Sequence, residues 1–329
     1  MHLFSQLGWT RLNPFTLPAD AAGYLRRLSR GWSLFLNMVP FLRLVVSLAP
    51  GGGRIFLLQH PEILLKGLGL YLALHLTVAD RLAILRHHYR FVTRTLRLRL
   101  VSALATRGVA LWRCQAGGDA FSITLKYSDG FYMEGEFALI YTMNEEPLHN
   151  LAFSFAPGRV LGLPAEQVIL IGATQGVPNS TEQTRAAAKA NGEVAPADML
   201  MVILRSLAAT VDVAALVALP AREQVAQRVR RDPAQFLLAY DGFWESNGGT
   251  HHGRYYLLPV ELPEKPIHEV PRSHRRRALR KRALKKAIFH AACETLAGLG
   301  FARPAPETAP DQPRAADSLG HSLPAKTFS

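Results

Sequence analysis

VALWRC at 109–114, FSITLKY at 121–127, EGEFALIYT at 134–142, LHNLAFSF at 148–155 and QVILIGA at 167–173 decide the fold. Each run is short and rich in β-branched or aromatic residues. Turn-forming sequence separates them: Ala116-Gly117-Gly118-Asp119, Ser128-Asp129-Gly130, the Asn144 to Pro147 tetrad and Ala156-Pro157-Gly158. Strands this short with connections this tight predict an antiparallel meander of four or five strands.

Downstream the period changes to helical. A helix is expected over 181–190, a break at Asn191-Gly192, and a restart near Pro196. Met199, Leu200, Ile203, Leu204, Leu207 and Val211 then form a wide apolar face suited to packing on a sheet. Residues 213–219 read as a buried strand, 221–230 as a short helix and 254–262 as a last strand. Meander, helix, strand, helix, strand is an α+β order, with helices at one end or face of a single sheet.

Upstream, 16–105 reads as mostly helical, with Gly51-Gly52-Gly53 breaking the pattern between two helical groups. The chain is thus expected to comprise a helical N-terminal region (1–105), an α+β domain with a basic C-terminal helix (106–290) and a disordered Pro/Ala-rich tail (303–329).

Charge is clustered. Residues 81–118 hold eight arginines and no acid, and 272–286 hold nine Lys or Arg and no acid, which together exceed the net charge of +13. Such blocks build local positive potential and point to a polyanionic partner or surface. Arg86, Arg90, Arg94 and Arg97 follow helical spacing, so one helix face presents an arginine ladder. A helix over 273–289, N-capped by Ser273, carries Arg275, Arg276, Arg277, Arg280 and Lys281 around a narrow stripe of Leu279, Ala283, Leu284, Ala287 and Ile288. Anionic lipid, nucleic-acid phosphate or plain solvation would each suit that helix.

The start MHLFSQLGWTR lacks the basic, then apolar, then small-residue order of a secretory signal. The most hydrophobic run, 67–79, has 13 residues and is too short to span a bilayer. A cytoplasmic protein is expected, with peripheral contact at the inner membrane left open. Cys114 and Cys293 have no metal-ligand spacing and read as inert thiols of a reduced compartment.

Local motifs each have two readings. Tyr240-Asp241-Gly242-Phe243-Trp244-Glu245 joins carboxylates and aromatic rings ahead of a flexible Gly248-Gly249 turn, either as a desolvated acid–base site or as a core-plugging loop with Asp241 capping a turn. Glu134 and Glu136 open a strand on one face. They could bind a cation or an amine, or pair with the arginines of 81–113. Gln175-Gly176 follows a strand and precedes a helix, where backbone can approach a ligand. Arg185 and Lys189 share a helix face and could meet an anion. One polar cleft could unite them, with Glu134 or Asp241 as base, Gln175, Gly176, Arg185 and Lys189 at a cofactor, and Glu136, Trp244 and Glu245 in the wall. His87-His88 and His251-His252 point to different faces, so no metal site is expected.

The order of Arg86-His87-His88-Tyr89, Glu134-Gly135-Glu136, Leu151-Ala152-Phe153-Ser154-Phe155, Ile171-Gly172, Gln175-Gly176, Arg185, Lys189 and Pro196 resembles the VirK/YbjX family. Tyr240-Asp241, Phe243-Trp244-Glu245, Gly248-Gly249 and the arginine-rich stretch after Pro271 continue the likeness, over about 60–290. The resemblance implies a link to envelope remodelling, virulence and resistance to cationic antimicrobial peptides, with no established cofactor or catalytic residue. It favours an accessory protein that uses basic surfaces at the inner leaflet or on an acidic partner.

A second likeness is to the GNAT acyltransferase core, in which the cofactor lies where two strands splay; acyl-CoA or an acyl carrier protein would then be bound. The Q/R-x-x-G-x-G/A phosphate loop of that core is missing after Ala173. Nucleic-acid binding, without a recognisable module, is the third reading.

Overall fold

The computed structural model describes residues 31–301 apart from 33, 130–132 and 226–232, and for 233–239 the backbone alone. The expected tail at 303–329 and the second half of the short helix at 221–230 lie outside the described residues; its first half is a 3-10 turn, Ala221–Glu223. Helices α1 (Met38–Leu48), α2 (Gly51–Gln59), α3 (Ile63–Lys66), α4 (Val78–Thr95) and α5 (Leu98–Ala105) precede the sheet. The break between α1 and α2 falls at Ala49-Pro50, and the triple glycine opens α2 instead of separating two helices. Close approach explains Gly53, where a Cβ would lie 2.6 Å from the Leu48 carbonyl oxygen. A capping box starts α4: the Thr77 hydroxyl accepts from the Asp80 amide, and the Asp80 carboxylate accepts from the Thr77 amide. Because α4 ends at Thr95, the ladder on its face is Arg86, Arg90 and Arg94, while Arg97 sits beyond it as the residue before α5.

The meander forms as the alternating runs require. β1 (Val109–Ala116), β2 (Asp119–Tyr127), β3 (Phe137–Met143), β4 (Glu146–Pro157) and β5 (Gln167–Gly176) pair antiparallel in sequence order. After β5 the chain crosses over through α6 (Thr181–Ala190) and α7 (Pro196–Thr210) to β6 (Leu216–Ala218), which pairs parallel with β5. Then come α8 (Pro233–Ser246), β7 (Thr250–His252) and β8 (Tyr255–Leu258), completing one eight-stranded sheet in the order β1-β2-β3-β4-β5-β6-β8-β7. The fold is α+β, with a single parallel pair in an otherwise antiparallel sheet.

Helices cover both faces of this sheet, rather than one end or face. β4 is buried at every position from Asn150 to Pro157, which requires cover on both sides, and α4 and α7 both pack against it. Met199, Leu200, Ile203, Leu204 and Leu207 of α7, and Val211 at its C-cap, are all buried as their spacing predicts. One contiguous apolar cluster joins them to the sheet and to Leu44, Phe56, Leu82 and Leu85 of the N-terminal helices. Each such side chain contributes roughly 1.5–3 kcal/mol on burial.

Helix α9 (Arg272–Leu299) closes the described chain. Its N-cap is Pro271, and Ser273 makes no capping bond. Ile288, Ala292 and Leu296 are buried, and α9 packs chiefly on α7, whereas Leu279 near the basic end stays exposed.

Candidate functional site

The arginine ladder faces an open groove. Its volume is about 970 Å³, and it runs between α1, the start of α2 and α4. One wall is aliphatic, from Val39, Leu42 and Val46; the other carries Arg86, Arg90 and Arg94, with Arg43 joining from α1. The apolar wall is outward-facing: Val46 is 70% exposed and Leu42 52%. Phe35, Leu36 and Met38 extend the exposed apolar surface next to it. Among the described residues no carboxylate makes an ion pair with Arg43, Arg86, Arg90 or Arg94. Burial, then the positive charges of Arg90, Arg43 and Arg159, hold the pKa of the Arg86 guanidinium below its ordinary value. Four unneutralised cations beside an aliphatic wall form an amphipathic cradle, able to bind phosphate at one side and an acyl chain at the other. Spacing revealed the ladder; the facing wall and Arg43 come from a helix whose packing the sequence did not specify.

The second basic surface, at the start of α9, is partly neutralised. Arg277 pairs with Glu193 at 2.6 Å, and Arg275 donates to the carbonyls of Val270 and His268. Lys285 and Lys286 pair with Asp198 and Glu264. Arg276 and Arg280 remain exposed, and burial with neighbouring Arg277 pushes the Lys281 pKa down.

The residues of the expected polar cleft bond to several different partners. Glu134 does not open a strand: it lies in a turn before β3, and its carboxylate accepts from the Gln175 amide at 3.0 Å. Gln175 and Gly176 lie within β5, not in a loop after it, and Gly176 pairs opposite His149. The close backbone approach at Gly172 is to the chain itself, since a Cβ there would lie 1.8 Å from the Glu134 carbonyl oxygen. Arg185 and Lys189 are exposed along α6.

Tyr240, Asp241, Trp244 and Glu245 are helical, on α8, and this helix packs on the turn that follows β6, Ala221–Glu223. Asp241 accepts from the Ala221 amide at 2.8 Å, Trp244 donates to the Leu219 carbonyl at 3.0 Å, and Glu245 accepts from the Tyr256 hydroxyl at 3.4 Å. Tyr240 reaches the β5 rim, accepting from the Thr174 amide. The Asn247-Gly248 turn is held rather than free: the buried Arg205 donates to the Asn247 carbonyl at 2.8 Å.

Glu136 belongs to another centre. Its carboxylate pairs with Lys66, not with an arginine of 81–113, and the Tyr89 hydroxyl donates to its second oxygen. Tyr127 lies under the ammonium, 4.7 Å from ring centroid to Nζ. Burial lowers the Lys66 pKa against the opposing pull of Glu136, and burial followed by the Glu136 charge raises Tyr71, Tyr89 and Tyr127. Lys66 gave no sequence signal beyond ending an apolar helical run.

A further polar group forms where the segment after α3 meets β6 and β8. The two ring nitrogens of His75 lie 2.7 Å from a Glu223 oxygen and 2.7 Å from the Tyr255 hydroxyl, and Arg254 donates to the other Glu223 oxygen. Burial would raise the Glu223 pKa, but bonding to His75 and Arg254 outweighs it and holds the carboxyl below its usual range. These four residues are far apart in sequence, and no spacing rule links them. Among the described residues no three His, Cys, Asp or Glu side chains are placed to hold a metal ion.

No single described helix is long and apolar enough to cross a membrane; α1 and α2 together have the length and composition, but they meet at 106°.

A family model described as "Protein of unknown function (DUF535)" matches residues 52–291, well over half of the chain. An uncharacterized protein of Haemophilus influenzae (strain ATCC 51907 / DSM 11121 / KW20 / Rd) is 28% identical over 165 residues. That similarity spans 49% of this chain and 52% of the relative, so the chain matches about half of the relative's length. No solved structure matches the chain. The ladder on α4 and the basic start of α9 lie within the matched span, whereas Arg43 and the aliphatic wall on α1 lie before it, and the chain belongs to DUF535, the VirK/YbjX family of unknown function.

Proposed function

We propose that this chain is an accessory protein of the cell envelope that works at an anionic membrane surface, on the inner leaflet, without spanning it. The observation that carries this reading is the set of arginines on α4 and α1 with no acidic partner among the described residues, set against an exposed aliphatic wall. Lipid phosphate supplies the missing negative charge, and the apolar face of α1 has a place to go in the acyl boundary. A role in envelope remodelling and resistance to cationic peptides, which the family resemblance implies, fits a protein that competes for the same anionic surface. The test is co-sedimentation with phosphatidylcholine vesicles with and without phosphatidylglycerol. Exchange of Arg86, Arg90 and Arg94 for glutamine should weaken binding about a hundredfold, at roughly 1 kcal/mol for each charge near the surface. Binding that ignores both the anionic lipid and these substitutions would sink the reading.

A second reading, a GNAT-like acyltransferase, has one specific observation in its favour. β5 and β6 run parallel, are joined by a helical crossover, and pair over Ile169–Ile171 and Leu216–Ala218, where β6 ends while β5 runs on to Gly176. Where that pairing ends, the chain's own side chains take up backbone groups: Gln224 donates to the Gly172 carbonyl, Tyr240 accepts from the Thr174 amide and Trp244 donates to the Leu219 carbonyl. A cofactor laid there would have to displace them. An acyl-CoA-dependent rise in melting temperature would favour this reading; no shift at saturating acyl-CoA would remove it.

A further inference from the structure

The ladder has a length as well as a charge. From Arg86 to Arg94 the helix rises about 12 Å, with successive arginines about 6 Å apart. One phosphate group can bridge two neighbouring guanidiniums, so the ladder offers two adjacent anion positions. Arg43 faces them from α1 as a fourth cation. Repulsion among them already depresses the Arg86 pKa, after burial. A single negative charge would leave most of this field unneutralised.

The other wall narrows the ligand further. Leu42 and Val46 are aliphatic and exposed, so they suit a hydrocarbon chain; the exposed, stacked Trp32 and Phe35 lie outside the groove's lining. The chain's own first 30 residues are a poor match for the cations, since they contain one acid, Asp20, against Arg11, Arg26, Arg27 and Arg30.

We propose that the groove between α1 and α4 binds one lipid whose headgroup carries two phosphates, both on Arg43, Arg86, Arg90 and Arg94, with an acyl chain lying along Leu42 and Val46. This rests on the membrane-surface reading and narrows it from a charged surface to one ligand class.

The full chain is titrated with phosphatidylcholine vesicles containing either cardiolipin, which has two phosphodiesters in one headgroup, or phosphatidylglycerol, at the same total charge. Cardiolipin should bind at least fivefold more tightly, the weight of one further arginine contact near a surface. Native mass spectrometry from detergent should show one cardiolipin retained per chain. Arg90→Gln and Leu42→Glu, both at exposed positions, should each remove that preference with an unchanged melting temperature.

Equal affinity for the two vesicles at matched charge would overturn the two-phosphate ligand and leave the membrane reading standing. No binding to either would overturn both. Competition by single-stranded nucleic acid as effective as by cardiolipin would overturn the lipid assignment. If a variant fails to fold, the matched-charge comparison on the unaltered chain still decides.

Discussion

The ammonium of Lys66 lies 2.7 Å from a Glu136 carboxylate oxygen, with the two side chains 1% and 0% exposed. Few positions in a core hold two formal charges, and each one alone would be strongly unfavourable there. The pair fastens α3 to the start of β3, and Tyr89 extends it to α4.

Breaking this pair from one side is therefore expected to cost more than removing it whole. Lys66→Met and Glu136→Gln should each destabilise by about 3–5 kcal/mol, because each leaves an uncompensated buried group. The double variant should fall well short of the sum. Urea denaturation of the four proteins measures the coupling; additive losses would mean that the pair is not a unit.

At Gly172 the constraint is steric. Gly172→Ala puts a methyl within 1.8 Å of the Glu134 carbonyl oxygen, a backbone atom that cannot move aside alone. Gly176→Ala meets nothing closer than 3.5 Å, at the His149 ring. The first should lose several kcal/mol or fail to fold, as overpacking against backbone does, and the second should change little. Similar melting temperatures for the two variants would show that the strand end relaxes freely.

These two cases mark where sequence reading works and where it stops. Period and turn chemistry are local, so β1 to β5, the buried face of α7 and the ladder on α4 could all be read from neighbouring residues. The boundary of β3 could not: Glu134 and Gly135 have strand-like neighbours, but crossing contacts with Phe153 and Gly172 hold them in a turn. The Tyr240 to Glu245 segment read as a loop because Gly242 and Asp241 are weak helix formers, and packing on the turn after β6 overrides that preference. Lys66 with Glu136, and His75 with Glu223, are separated by 70 and 148 positions, and only the fold brings them together.

Acid should weaken the fold through the buried His88 and the partly buried His149. Burial lowers His149 from 6.5 to about 4 and His88 well below its usual value. Above pH 6.5 both folded and unfolded chains hold these rings neutral, and their contribution is complete. As pH falls from 6.5 towards 4 the unfolded chain takes up protons that the native His149 refuses, so stability drops, by about 3 kcal/mol for that ring. His149→Gln should flatten the stability profile across this window. An unchanged slope would place the effect on other groups.

The basic start of α9 should matter for association and little for stability. Arg276 and Arg280 are exposed, and the Arg277–Glu193 pair is about half exposed on both sides, so such charges are worth roughly 0–1 kcal/mol at most. Exchange of Arg276, Arg277, Arg280 and Lys281 for glutamine should leave the melting temperature within a few degrees and reduce anionic-vesicle binding, more at low salt than at high. Arg275→Gln is the exception to be measured beside it. Its guanidinium fastens the Val270 and His268 carbonyls to the first turns of α9, so its loss should loosen the segment ahead of the helix and raise amide exchange there. Vesicle binding untouched by the four substitutions would assign this surface to solvation and leave the α1–α4 groove as the membrane-facing side.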